Sequence, residues 1–256
     1  CISIYTINLL TMILLYYIIF GLLWLFTLLP FFIIYRFSDL LFLLLFYIVR
    51  YRRKVVQNNL LNAFPNKTKK ERACIEKEFY KHFCDYFFET IKVLNVSDKQ
   101  MRARMKYINP EIMTEAFKND NSIIGYLGHY GNWEWLSHGW AAQNTQNVTY
   151  DIYAAYYPLG NKYVERFFFY LRSKGKSIPV PQKKVLRTII KLHQEGKKGL
   201  FVFIADQSPI WNSVQHWMKF LNQDTATIVG AEKLAKQTGY PSYYVNIKKV
   251  SRGHYT

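Results

Sequence analysis

Ser122-Ile123-Ile124-Gly125-Tyr126-Leu127-Gly128-His129-Tyr130-Gly131-Asn132-Trp133-Glu134-Trp135 joins two kinds of structure in one stretch. The run Ser122 to Leu127 is short, apolar and closed by glycine, the pattern of a strand buried on both faces. Gly128 and Gly131 then flank a histidine and allow a tight turn, and a helix is predicted from about Asn132 to Ala142. A strand that ends in a turn and feeds a helix is half of a crossover unit. In open α/β sheets the carboxyl edge of such a strand is where ligands meet the fold, so His129 is well placed for chemistry on topology alone.

The pattern repeats downstream. Strands are predicted over Thr149 to Tyr156, Ser177 to Val180, Leu200 to Ala205 and Ser242 to Val250, with helices over Asn161 to Leu171, Lys183 to Gln194 and Thr227 to Gln237 between them. Upstream, Phe79, Phe83, Tyr86, Phe87 and Ile91 recur at three- and four-residue spacing within a predicted helix from Lys67 to Val96, and Asn109-Pro110 opens a shorter one to Phe117. The expected class is α/β, a mainly parallel central sheet flanked by helices.

The N-terminus differs in kind. Residues 1–35 contain no charged side chain, and Tyr5 to Leu29 is nearly all Ile, Leu, Phe, Tyr and Trp. About 20 such residues cross a bilayer as a helix, so a transmembrane helix is predicted there. There is no basic start or small-residue cleavage site, which favours an anchor over a cleaved signal. Pro30 interrupts it, and Leu40 to Val49, bounded by charges, suits an interfacial segment; joined to the residues after Pro30 it would make the anchor a hairpin. Arg50, Arg52, Arg53 and Lys54 place the rest of the chain on the cytoplasmic side. The resulting division is a membrane anchor over 1–50 and a cytoplasmic-face domain over 51–256. The chain starts at Cys1 without an initiator Met, leaving room for further residues at both ends.

Among 256 residues the net charge is +17, with 21 Tyr, 19 Phe and 6 Trp. That combination points to anionic lipid, phosphorylated lipid or an acidic carrier. Nucleic acid is not an expected partner, since no Gly-rich RNP segment, zinc finger or helix-turn-helix accompanies the charge. Cys1, Cys74 and Cys84 form no CxxC pair, no metal-ligand set is visible, and neither metal nor cofactor is expected. His82, His138, His193 and His254 lack convincing partners and read as packed or surface histidines.

His129 and Glu134 are the candidate catalytic pair. A neutral imidazole can take the proton of a hydroxyl as that oxygen attacks a thioester carbonyl, while Glu134 on the other ring nitrogen would fix the tautomer. The plainer alternative is a structural His–Glu pair at a helix start. Asn132 is expected to cap that helix.

These residues resemble the His-x4-Asp/Glu motif of the bacterial lipid A biosynthesis lauroyl/myristoyl acyltransferases, in the wider glycerolipid acyltransferase superfamily. Val55 to Pro65 resembles the family's Asn-Leu…Ala-Phe-Pro segment, and Tyr157-Pro158-Leu159-Gly160-Asn161 its Arg-Pro-x-x-Asn block, with Tyr157 where arginine is common. Asp206-Gln207 resembles its Asp-Gln pair at the end of a central strand, and Phe220 to Thr227 its aromatic-Gly…Ala-Thr segment, with Leu221-Asn222 in place of Phe-Gly. The resemblance implies a glycerol-3-phosphate-acyltransferase-like fold behind one membrane helix at the bacterial inner membrane. It implies transfer of an acyl chain from acyl carrier protein, as the acyl-phosphopantetheine thioester, to the hydroxyl of a 3-hydroxyacyl chain on a lipid A precursor. Direct attack without an acyl-enzyme agrees with the lack of a Gly-x-Ser-x-Gly elbow. It also implies an oxyanion- or phosphate-binding arginine, for which Arg172 is the choice over Arg166, and pocket-shaping roles for Gly128, Gly131, Asn132, Asn161, Asp206 and Gln207. Another membrane lipid as acceptor, or an inactive lipid- or carrier-binding protein, are the alternatives.

Overall fold

A computed structural model describes residues 2–118, 122–143 and 150–256, with backbone alone over 2–10. Cys1, the side chains of the apolar run before Thr11 and the predicted strand start at Thr149 lie outside the described residues.

Five strands form one parallel sheet: β1 (Ile123–Leu127), β2 (Asp151–Tyr156), β3 (Ser177–Pro181), β4 (Gly199–Ile204) and a further strand, Ser242–Tyr244, in the order β3, β2, β4, β1, Ser242–Tyr244. The helices Leu136–Gln143, Lys162–Lys174, Val185–Gln194 and Gly230–Thr238 make the crossovers. Ile123, Ile124, Phe201 and Phe203 are buried in the middle of the sheet, as apolar runs covered on both faces must be. The chain leaves β1 towards one edge of the sheet and β4 towards the other, so the carboxyl ends of these two neighbours form a switch point. Their register pairs Leu127 with Ile204, which puts Gly128 and His129 beside Ala205 and Asp206.

The C-terminal part departs from the expected single strand over Ser242 to Val250. Pairing in the parallel sheet ends at Tyr244, and after an antiparallel hairpin β5 (His216–Phe220) and β6 (Gln223–Thr227), with Ser242–Tyr244 as β7, the chain closes with a second hairpin, β8 (Lys249–Ser251) and β9 (His254–Tyr255). Leu221 and Asn222, both at positive φ, make the tight turn of the first hairpin, which explains a turn where a helix approach was expected. Thr227 accordingly ends a strand, and the helix begins at Gly230.

Before the sheet the chain is helical: α1 (Ile2–Phe26), α2 (Phe31–Leu43), α3 (Arg53–Ala63), α4 (Lys69–Lys92), α5 (Asp98–Arg104) and α6 (Glu111–Lys118). Pro30 breaks α1 from α2, whose first turn it opens without losing a hydrogen bond. The segment expected from Leu40 to Val49 in fact begins at Phe31 and runs, with a π-helical turn over Leu44–Ile48, straight through Arg36 and Asp39. The reason is packing. Phe31, Ile34, Ser38 and Phe42 face inward, Ser38 donates to Asp85 of α4 at 2.7 Å, and Arg252 binds Asp39 and Asp85 together. Phe32, Phe37, Leu40, Leu43 and Tyr47 remain exposed on the outer face. By length and composition, Phe31–Ile48 could cross a membrane; Thr11–Phe26 is apolar but shorter. Lys92 and Asn95 cap the end of α1 through the carbonyls of Thr27, Leu29 and Trp24.

One core cluster holds Phe31, Ile91, Leu94, Met101, Trp135 and Tyr255, with Phe20 and Leu23 of α1 packed against it. The boundary near residue 50 is therefore a proposal about the membrane, and the core runs across it. Continuing the helix numbering, Leu136–Gln143 is α7, Lys162–Lys174 is α8, Val185–Gln194 is α9 and Gly230–Thr238 is α10.

Candidate active site

His129 leaves the end of β1 with its backbone N–H donating to Asp206 Oδ2 at 2.7 Å and its ring Nδ1 2.6 Å from Asp206 Oδ1. An ionised carboxylate only accepts, so against it Nδ1 is the donor, and in the neutral ring Nε2 is then the acceptor. One carboxylate thus fixes both the backbone and the tautomer of His129. Gly128 is what lets it approach: a Cβ there would lie 3.1 Å from Asp206 Oδ2. Gly131, at φ +63, makes the turn, and a Cβ on it would sit 2.5 Å from Ile247 Cγ2.

Glu134 does not stand behind His129 as expected. A 3-10 turn over Trp133–Trp135 precedes α7 and carries Glu134 towards α8, where Arg172 grips both its oxygens, Nε at 3.1 Å and Nη2 at 2.7 Å. The side chains are 7% and 24% exposed, so the pair is a largely buried fork-to-fork ion pair. Burial opposes the Arg172 charge, and the Glu134 carboxylate outweighs it, holding the guanidinium above its ordinary pKa. The rings of Tyr156 and Phe168 flank it at 5.8 and 5.5 Å. The exchange of partners has a simple cause: adjacent strand ends lie about 5 Å apart, so the carboxylate after β4 reaches the histidine after β1 more directly than one five residues on along the same chain.

His129, Glu134 and Arg172 nevertheless line one cavity of about 1980 Å³. Its wall beside His129 is Trp133, edge-on to the imidazole at 4.9 Å and itself stacked on Tyr86 at 4.2 Å. Met113, Trp140, Phe168 and Phe203 extend the apolar lining, while Lys106, Lys183, Lys184 and Lys248 also border it. That is room for more than one long chain, with cations for an anionic group.

The remaining predicted residues divide. Gln207 lines the same cavity, and Gly128 and Asp206 line a smaller cleft of about 490 Å³ next to it. Asn161 caps α8, accepting from the N–H groups of Tyr163 and Val164 at 2.9 and 3.2 Å, and takes no part in the lining. Asn132, expected as a helix cap, is instead fully buried, and its Nδ2 donates to Glu89 at 2.8 Å. Arg166 lies over Tyr16 and Tyr17 of α1, at 5.7 Å from each ring, and is a contact to the N-terminal helix. Sequence reasoning missed Tyr86, Trp133 and Glu89; the helical spacing of α4 contained the first, but nothing in it told an inward face from a site-facing one.

Chemically, the site offers a base whose free nitrogen remains available to the cavity, an arginine with donors beyond those Glu134 takes, and a long apolar space beside both. Residues 6–255 match the model of the bacterial lipid A biosynthesis acyltransferase family. No match is found among curated proteins.

Proposed function

Since the chain belongs to the bacterial lipid A biosynthesis acyltransferases and is an acyltransferase, we propose that it moves a fatty acyl group from acyl carrier protein to the hydroxyl of a 3-hydroxyacyl chain on a lipid A precursor. The observation that carries the mechanism is Asp206 on Nδ1 of a histidine that lines a mostly apolar cavity. Nε2 of His129 takes the hydroxyl proton as that oxygen attacks the thioester carbonyl. Asp206 holds the imidazolium that forms, the tetrahedral oxyanion collapses, the C–S bond breaks, and the imidazolium returns its proton to the departing thiolate. Arg172, kept in place by Glu134, offers its remaining N–H donors to the oxyanion or to a substrate phosphate. Lys106, Lys183, Lys184 and Lys248 suit an anionic headgroup or the phosphopantetheine phosphate.

The same reading places the protein at the bacterial inner membrane with its catalytic side facing the cytoplasm. In it, α1 spans the bilayer. The outer face of α2 and of the π-helical turn after it, with Phe32, Leu40, Leu43 and Ile48 exposed, rests in the interface, since the inner face of α2 is already taken by α4. One observation favours a different acceptor lipid: at the cavity, Tyr157 stands where the resemblance places arginine, which removes a cation from the headgroup side.

Transfer of labelled acyl groups from acyl carrier protein to a lipid A precursor in detergent, wild type against His129→Ala, tests the proposal. Product that vanishes with the variant supports donor, acceptor and base together. Product made equally well by the variant removes His129 from the mechanism, and labelling of total membrane lipid without labelling of the lipid A precursor moves the acceptor to another lipid.

A further inference from the structure

One face of α4 is fitted to the loop that carries His129. His82, Tyr86 and Glu89 are spaced four and three residues apart, so they stand in a row along the helix. Each meets the loop at a different residue. His82 lies beside the backbone of Gly131, Tyr86 stacks on Trp133, and Glu89 takes Asn132. Glu89 does most. Its side chain is fully buried, its Oε2 accepts from Asn132 Nδ2 and from the Tyr255 hydroxyl, both at 2.8 Å, and its backbone carbonyl accepts the Trp135 indole N–H at 2.9 Å. The other oxygen, Oε1, accepts the Tyr35 hydroxyl of α2 at 2.9 Å. A buried carboxyl with three side-chain donors is costly to build and ties down whatever donates to it.

We propose that Glu89 is a positioning residue for acyl transfer: by holding Asn132 just before the 3-10 turn and Trp135 at its end, it sets where His129 projects on one side and where Glu134 meets Arg172 on the other. The assignment rests on His129 as the base. It goes beyond that reading because Glu89 does not line the cavity and acts only through the loop. Both parts of the site hang on this short segment. His129 is tied at its far side to Asp206, and Glu134 to Arg172; the middle of the loop is fixed by α4 alone among these contacts. A displacement of about 1 Å at a reacting group costs on the order of 10²-fold in rate, so loosening the middle should appear in kcat.

The two carboxyl oxygens supply their own control. Glu89→Gln and Asn132→Ala both disturb the loop side, whereas Tyr35→Phe removes the partner on the α2 side of the same carboxyl group. For each, kcat, KM and Tm are measured in the acyl-transfer assay at a temperature well below every Tm. Expected are a ten- to hundredfold fall in kcat for Glu89→Gln and for Asn132→Ala with KM within about threefold, a double variant no worse than the poorer single one, and wild-type kcat for Tyr35→Phe at a similar loss of Tm. Charge exchange in Glu89→Gln/Asn132→Asp, which restores a donor–acceptor pair with the roles reversed, should recover much of the lost kcat. Wild-type kcat in folded Glu89→Gln overturns the proposal, and so does a loss of kcat in Tyr35→Phe that matches the others, because it would make the cluster general scaffold. Should Glu89→Gln not accumulate folded, Asn132→Ala, which leaves the carboxyl and both tyrosines in place, decides on the same criteria. His129→Ala run alongside separates the readings: an active His129→Ala removes the base, while an inactive one beside an active Glu89→Gln removes only the positioning role.

Discussion

Asp206→Asn is the change on which the arrangement can be made to fail most cleanly. Asp206 accepts twice from His129, from the backbone N–H at 2.7 Å and from ring Nδ1 at 2.6 Å. Asparagine has a single acceptor oxygen. If that oxygen keeps the backbone N–H, the amide NH₂ faces Nδ1 and forces the proton onto Nε2, so the atom that must accept the substrate proton is already occupied. The same exchange in a fully buried His–carboxylate pair costs about 10⁴ in kcat. Here the side chains are 30% and 45% exposed, so water can replace part of the lost interaction, and a fall of roughly 10²- to 10³-fold is expected, about 2.7 to 4 kcal/mol in the barrier. The loss should fall on kcat, with KM nearly unchanged, since Asp206 lies behind the histidine and outside the main cavity lining. Steady-state acyl transfer in detergent, with Tm measured on the same preparations, is the assay. A folded Asp206→Asn within threefold of wild type would refute the reasoning and return the supporting role to Glu134.

Other perturbations separate the parts of the site. Arg172→Lys keeps the charge but loses the two-pronged grip on Glu134, and hydrogen bonds between charged groups contribute about 1.5 to 3 kcal/mol; kcat/KM should fall at least about tenfold and Tm by several degrees, and an unchanged Tm would argue against a buried pair. Gly128→Ala puts a methyl 3.1 Å from Asp206 Oδ2, so turnover should fall about tenfold with little change in melting, read by the same two assays. His138 is buried with its pKa lowered by desolvation below the ordinary 6.5, the fold favouring its neutral form. Its share of stability is therefore present above pH 6.5 and is lost as pH falls through the lowered value. Tm followed from pH 7.5 to 5 should drop less steeply in His138→Gln than in wild type, and parallel curves would show that His138 does not contribute.

The sheet was legible because parallel strands covered on both faces must be apolar along their length, and Ile123 to Leu127 and Leu200 to Ala205 can be read without knowing what they pair with. Pairing itself was not legible. Nothing local to Asp206 says that its strand lies beside β1 in the register Leu127 to Ile204, and that register alone turns a residue read as pocket-shaping into the partner of His129. The spacing from His129 to Glu134 picked two residues that line one cavity but not their partners, which are Asp206 and Arg172. Asn132 misled for a related reason: Asn before a helix is a strong cap signal, but here its Nδ2 donates to a buried carboxyl on another helix, and that turns the amide away from the local N–H groups its oxygen would have capped. Leu221-Asn222 shows the opposite case, a tight hairpin at positive φ built without the glycine that normally marks one.

The N-terminal helices follow from the same competition between local pattern and tertiary partner. Both α1 and α2 are apolar, α2 carrying Arg36 and Asp39, yet they are held in different ways. Tyr16 and Phe20 of α1 lie against Tyr163, Phe167 and Tyr170 of α8, the helix that carries Arg172. Tyr35 and Ser38 of α2 bind Glu89 and Asp85 of α4, the helix that holds the His129 loop. Each apolar helix therefore rests on one of the two helices that fix the site, and Lys92 joins them by capping the end of α1 from α4. If α1 spans the bilayer, the cavity has a set height above the membrane, because α4 and α8 cannot shift without dragging buried hydrogen bonds and packed aromatic rings with them. Under the proposed function, a lipid hydroxyl presented from the bilayer would then meet a base whose depth is fixed by packing, and a carrier-bound thioester would approach from the aqueous side.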